Sequence, residues 1–122
     1  MNRAEYLRQY RIENPELAHK YYLKAKTAQR NNRLKNKYAI TLKEYNQLFK
    51  AQNGLCAGCY RHQSQFKYAL AVDHDHLTDR VRGLLCGPCN TTLGNVLDNP
   101  DTLRRLASYL DKQSGYRSQR LV

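Results

Sequence analysis

The sequence predicts an α+β chain, mainly helical, in which a small cysteine-bearing core follows a basic helical extension. Three observations predict it. The four cysteines form two Cys-x-x-Cys pairs, Cys56–Cys59 and Cys86–Cys89, and two short stretches between the pairs alternate as strands do. Helix-start signals stand before, within and after this unit, at Asn14-Pro15, Thr41, Gly87-Pro88 and Asn99-Pro100. Positive charge crowds the beginning of the chain, where residues 1–37 carry +7 of the formal +11. At 122 residues there is room for one domain at most, and an apolar content of 41% is low for a domain held by an apolar core alone.

In chain order, Asn14-Pro15-Glu16 combines an N-cap, a first-turn proline and an acid at the positive end of a helix dipole. Leu17, Tyr21, Ala25 and Ala28 continue it at helical spacing, a thin stripe that ends in the polar run Gln29 to Arg33 and is expected to pack on no large core. Tyrosines 6, 10, 21 and 22 interleave with Arg3, Arg8, Arg11, Lys20, Lys24 and Lys26, a mixture suited to an arm along a nucleic acid or to one side of a dimer contact. Thr41-Leu42-Lys43-Glu44 is a capping box, and Ile40 before it staples against Tyr45. The helix it opens is expected to run from Leu42 to Gln52, to bury Leu42, Tyr45, Leu48 and Phe49, and to stop at Asn53-Gly54. Strands are expected at 69–73 and 81–85, with a loop from His74 to Arg80 between them. A helix follows from Gly87-Pro88 to about Leu97, and another from Asn99-Pro100-Asp101 carries the one-sided stripe Leu103, Leu106, Ala107 and Leu110. This divides the chain into a basic arm (1–37), a cysteine-containing domain (38–111) and a loose basic tail (112–122).

Two residues between thiolates let both sulfurs of a pair point at one ion, and two such pairs make the tetrahedral sulfur shell that suits Zn²⁺. A shell closed by Cys56, Cys59, Cys86 and Cys89 leaves no position for water or substrate, so this zinc would be structural. Such binding contributes on the order of 10–16 kcal/mol of apparent free energy to small zinc domains, which offsets a thin core. The competing readings are two disulfides, which suit an oxidising compartment, and a redox pair. No apolar stretch is long enough to span a bilayer and no basic-then-apolar leader opens the sequence, so an intracellular chain with reduced thiols and no membrane partner is expected.

Val72-Asp73-His74-Asp75-His76 closes the first strand, and Asn90 directly follows the last cysteine. Strand, loop, strand and helix, with Asp-His leaving the first strand and Asn entering the helix, is the ββα-metal (His-Me finger) pattern of nucleases of the His-Asn-His class. Residues 54–97 resemble phage recombination endonuclease VII and its relatives. The residues that carry the likeness are Gln52-Asn53-Gly54-Leu55-Cys56-Ala57-Gly58-Cys59, Val72 to His76, Val81-Arg82-Gly83-Leu84-Leu85-Cys86-Gly87-Pro88-Cys89-Asn90, and Leu93-Gly94. The resemblance implies a DNA endonuclease, in the cytoplasm of a bacterial host where phage-encoded, with Asp73, His74 and Asn90 at its active site.

Chemistry gives these residues the same jobs independently. Phosphodiester hydrolysis needs a water made nucleophilic near neutral pH, a counter-charge for the pentacovalent phosphate and help for the departing oxygen. A neutral imidazole titrates in that range, which makes His74 the candidate general base. The Asp73 carboxylate and the Asn90 carbonyl are hard donors that suit one Mg²⁺ or Mn²⁺. His76 is a candidate for touching the metal or the scissile phosphate, and Asp75 either orients a histidine or accepts backbone bonds. The opposing reading, His74 and His76 as zinc ligands, meets a sulfur shell already complete. His19 and His62 read as surface histidines.

Excess positive charge predicts a polyanion partner, since each Lys or Arg near a phosphate releases condensed counterions. The candidate DNA contacts are Arg30, Arg33, Lys35 and Lys37 at the end of the arm, and Arg82, which is otherwise an ordinary exposed strand arginine. Cutting branched DNA engages two strands, so a homodimer is expected in that case, through the arm or the 101–110 helix. The alternatives are a site-specific homing or nicking endonuclease of the same class, with the arm reading sequence, and a non-catalytic zinc-stabilised nucleic-acid-binding module.

Overall fold

The computed structural model describes residues 1–113. Helix α1 (Arg3–Glu13) opens with a capping box in which the Asn2 side chain accepts the Glu5 N–H while Glu5 reaches back to the Asn2 N–H. It buries nothing. Asn14 ends it, its N–H bonded to the Tyr10 carbonyl, and Pro15 starts α2 (Pro15–Tyr38), a helix of 24 residues and so about 36 Å long. The helix runs on past the polar run at 29–33 where its apolar stripe was expected to end, and its last turns, expected to pack on no large core, reach the small one. Gln29, Arg30 and Arg33 are good helix formers, the two asparagines cost at most about 0.7 kcal/mol each, and Leu34, just past the run, is drawn into the core. The packed unit therefore includes the end of α2: Asn31 Oδ1 accepts the Leu42 N–H at 2.8 Å and ties α2 to the next helix.

Ala39 takes the left-handed conformation that closes α2, and the expected capping box then opens α3 (Leu42–Ala51). Ile40 and Tyr45, the stapling pair, are both buried, and the Tyr45 hydroxyl donates to the Leu70 carbonyl at 2.6 Å. Asn53 and Gly54 follow with positive φ. At Gly54 the requirement is strict, because a Cβ there would lie 2.8 Å from Nε2 of His62.

A single turn of 3-10 helix (Gln63–Gln65), capped by His62, leads to β1 (Ala71–His74). The Gln63 amide pins the approach by donating to the Tyr68 carbonyl and accepting the Leu70 N–H. Strand β1 starts two residues later than expected and takes in His74. It pairs antiparallel with β2 (Val81–Leu85), matching Ala71 to Leu85, Val72 to Leu84 and Asp73 to Gly83. The next pair is His74 with Val81, so the register slips at Asp73/His74 and Arg82 is the extra residue.

Helix α4 (Gly87–Asn95) starts on Cys86, packs against β1 and stops two residues before the expected Leu97. Leu97 and Asp98 both have positive φ. Asn99 caps α5 (Pro100–Asp111) by accepting two N–H groups. The α5 stripe is present, but no residue of the helix is buried, and Leu106 and Leu110 stay 49% and 41% exposed. The buried core is small, Leu34, Ile40, Tyr45, Leu70, Val72, Leu84 and Leu85, and it closes on Cys56 and Cys86. Of the basic tail, residues 114–122 lie outside the described residues.

Candidate functional site

The turn after α3 delivers Cys56 to the end of β2, where the Ala57 N–H bonds to the Leu84 carbonyl. Cys86 comes off β2 as the cap of α4, and its sulfur accepts the Cys89 N–H. One ligand atom from each cysteine lies within 4.8 Å of all the others, and Cys59 and Cys86 are 3.8 Å apart. A tetrahedron with Zn–S bonds of about 2.3 Å has edges of about 3.8 Å. Spacing and donor set both fit zinc.

Backbone N–H groups of Gly58 and Cys86 donate to the Cys56 sulfur at 3.3 Å, and Arg61 Nε donates to Cys59 at 3.2 Å. Burial raises the Cys59 thiol, but its bonds from the Arg61 side chain and backbone outweigh this and draw it down to about 6. Cys89 has no such donor, and burial first, then the neighbouring sulfurs, push it up. Four adjacent thiolates repel one another. A divalent cation at their centre removes that cost, which is the electrostatic reason the cluster suits a metal.

The second cluster stands where β1 meets its loop. In an unbroken ladder Arg82 would oppose His74 and share its face, leaving Asp73 on the other. The register slip instead brings the guanidinium to Asp73, with Nε and one Nη each 2.8 Å from a carboxylate oxygen, and that Nη also meets Asp98 at 3.3 Å. Asp73 is only 12% exposed. The His74 ring centroid is 5.4 Å from that of Tyr38 and 4.7 Å from that of His76. Asp75 accepts the N–H groups of Leu77 and Thr78, which hold its carboxyl below the usual range, so of its two expected roles the backbone one is seen. Asn90 stands in the first turn of α4, exposed, on the helix that packs against β1.

The structure thus joins Asp73 to Arg82 and His74 to His76, and makes no hydrogen bond between Asn90 and either pair. Among the expected DNA contacts, Arg30 lies 4.8 Å over the Tyr45 ring and Lys37 5.3 Å over Tyr38, while Arg33 and Lys35 are exposed. Arg82 is already held by Asp73 and Asp98. His62 caps the 3-10 turn and His19 stacks on Tyr22.

Two residues that support the sites carried no role in the sequence reading. The Gln52 amide donates to the carbonyls of Leu55 and Leu84 and accepts the Leu84 N–H, joining α3, the first cysteine turn and β2. Arg61 lies over Phe66 and beside the cysteines. Its position two residues after Cys59 was the one signal for it.

Among the described residues no helix is long and apolar enough to cross a membrane. The family model for recombination endonuclease VII matches residues 31–112. The Gene 59 protein of Mycobacterium phage L5 is 46% identical over 74 residues, 60% of this chain and 44% of that protein. The Gene 59 protein of Mycobacterium phage D29 is 45% identical over 76 residues, 62% of this chain and 46% of that protein. The chain spans less than half the length of these relatives. With the match covering both cysteine pairs, both strands and helices α3 to α5, the chain belongs to the recombination endonuclease VII family.

Proposed function

We propose that this protein is a metal-dependent DNA endonuclease that hydrolyses phosphodiester bonds, with residues 71–95 as a ββα-metal unit. The observation that carries the reading is the join of β1, β2 and α4: Asp73-His74 ends one strand, and Asn90 enters the helix that packs on it. His74 takes the proton of the attacking water. Its ring lies beside those of Tyr38 and His76. Asp73 and Asn90 offer a carboxylate and an amide carbonyl, a donor set that fits Mg²⁺ or Mn²⁺, which takes one or two protein oxygens and fills the rest with water and phosphate. Such an ion, when bound, supplies counter-charge to the phosphate. Zinc on the four cysteines takes no part in the chemistry and holds the strands to α4.

Branched DNA is the proposed substrate, cut by a homodimer in the cytoplasm of a bacterial host. The exposed leucines of α5 support a contact between two copies, since an amphipathic helix with no buried residue is half-satisfied in a monomer. The test compares cleavage of a linear duplex, a single strand and a four-way junction in Mg²⁺ or Mn²⁺, alongside light scattering for the oligomeric state. His74→Ala is expected to lose about 10²–10⁴-fold in rate, as removal of a general base does, with zinc content unchanged. Equal cutting by that variant removes His74 as base. Cutting that persists without a divalent ion removes the metal mechanism.

A further inference from the structure

Beside the catalytic corner lies a groove of about 670 Å³ between α2 and the segment leading into β1. Lys26, Arg30, Arg33 and Lys37 line one wall. Their spacing of four, three and four residues puts them on a single face of α2, a row about 16 Å long. Lys35, nine residues beyond Lys26, points the opposite way and is absent from the groove. Lys67 and Tyr68 form the facing wall, with Tyr68 75% exposed. No acidic residue lines the groove, and none of these cations makes an ion pair among the described residues. At the end of the row Tyr38 packs on His74.

An uncompensated row of cations with an exposed aromatic ring across from it fits a nucleic-acid strand, whose phosphates track the charges while a base stacks on the ring. We propose that this groove is the track for one DNA strand, with phosphates along the α2 row and on Lys67, and with a base turned out onto Tyr68. A base can stack there only when it has left a duplex. The site therefore favours single-stranded or opened DNA over continuous duplex. The strand follows the row to Tyr38 and so to His74, a step that rests on the endonuclease reading, whereas the binding itself does not.

Binding of labelled single-stranded and duplex 20-mers is measured by fluorescence anisotropy over a range of salt, without added Mg²⁺ or Mn²⁺. Four proteins are compared: wild type, the triple variant Lys26→Ala/Arg33→Ala/Lys67→Ala, Tyr68→Ala and Lys35→Ala. All these side chains are exposed, and zinc content checks that each variant folds. The triple variant is expected to flatten the slope of log K against log salt for single strands by about 2, at about 0.7 for each phosphate that is no longer neutralised. Tyr68→Ala is expected to weaken single-strand binding about tenfold with the slope kept, and to leave duplex binding nearly unchanged. Lys35→Ala should resemble wild type. An unchanged slope in the triple variant, or a weakening in Lys35→Ala as large as in the triple, overturns the proposal. Cleavage assays on the same wild-type preparation keep the two readings apart: a protein that cuts no DNA yet shows the groove-dependent binding loses the nuclease reading and keeps the groove.

Discussion

Arg82 grips Asp73 through two parallel hydrogen bonds of 2.8 Å, a fork made reachable by the register slip between their strands. The pair is partly exposed, and ion pairs of that kind stabilise a fold by at most about 1 kcal/mol. Its larger effect is on orientation, since the fork fixes the plane of a carboxylate proposed to hold the catalytic ion. Arg82→Ala is therefore expected to melt close to wild type while cutting about 10–100-fold more slowly, the usual cost of losing a group that orients a metal ligand. Arg82→Lys keeps the charge but lacks the planar fork and should not restore the rate. Full activity in the lysine variant would reduce the role of Arg82 to charge alone.

Zinc removal should unfold residues 42–97, because Cys56 and Cys86 are themselves part of the small core. Thiolates bind the ion and thiols do not, so acid competes with it. The sign follows from ligation by thiolate: each proton returned to a cysteine removes a ligand, so the stability that zinc confers is present at high pH and lost as pH falls. Zinc release to an indicator dye and loss of helical circular dichroism are expected to rise together as the solution is acidified. Cys86→Ala should show both at neutral pH. A cooperative transition unmoved by a chelator would mean that the cysteines are not the staple.

Gln52 leaves a sharper signature than its half-buried position suggests. It accepts the N–H of Leu84, a residue with no exposure, and donates to two carbonyls. Gln52→Ala strands that buried N–H, at a cost of about 1–3 kcal/mol. Urea denaturation of the zinc-loaded variant should show a lower midpoint with an unchanged slope. An unaltered midpoint would mean that water or a neighbour takes over the bond.

What could be read beforehand was local. The Thr41 capping box, the cysteine pairs and Asn99-Pro100 each act within four residues, and the structure has each helix start where they put it. The Asp73–Arg82 fork depends on a one-residue slip between strands, and the Gln52 bonds to Leu84 span 32 positions. No spacing rule carries either. The end of α2 was hidden differently, because one leucine after five polar residues gives no periodic signal even where it is buried.

That leucine decides how the arm should be cut. Leu34 lies in the core, Asn31 caps α3 and the groove row begins at Lys26, whereas α1 buries nothing. Deleting residues 1–25 is thus expected to leave the melting temperature of the zinc-loaded protein nearly unchanged. Deleting residues 1–37 removes a core side chain and a helix cap together, and should lower stability by more than the 2–3 kcal/mol or so expected for Leu34→Ala. Thermal melts of the three variants check the order. Should the shorter deletion destabilise as much as the longer one, α1 and the first half of α2 would have to be packing on something, and a second copy of the chain would be the first candidate, visible as a dissociated species in light scattering.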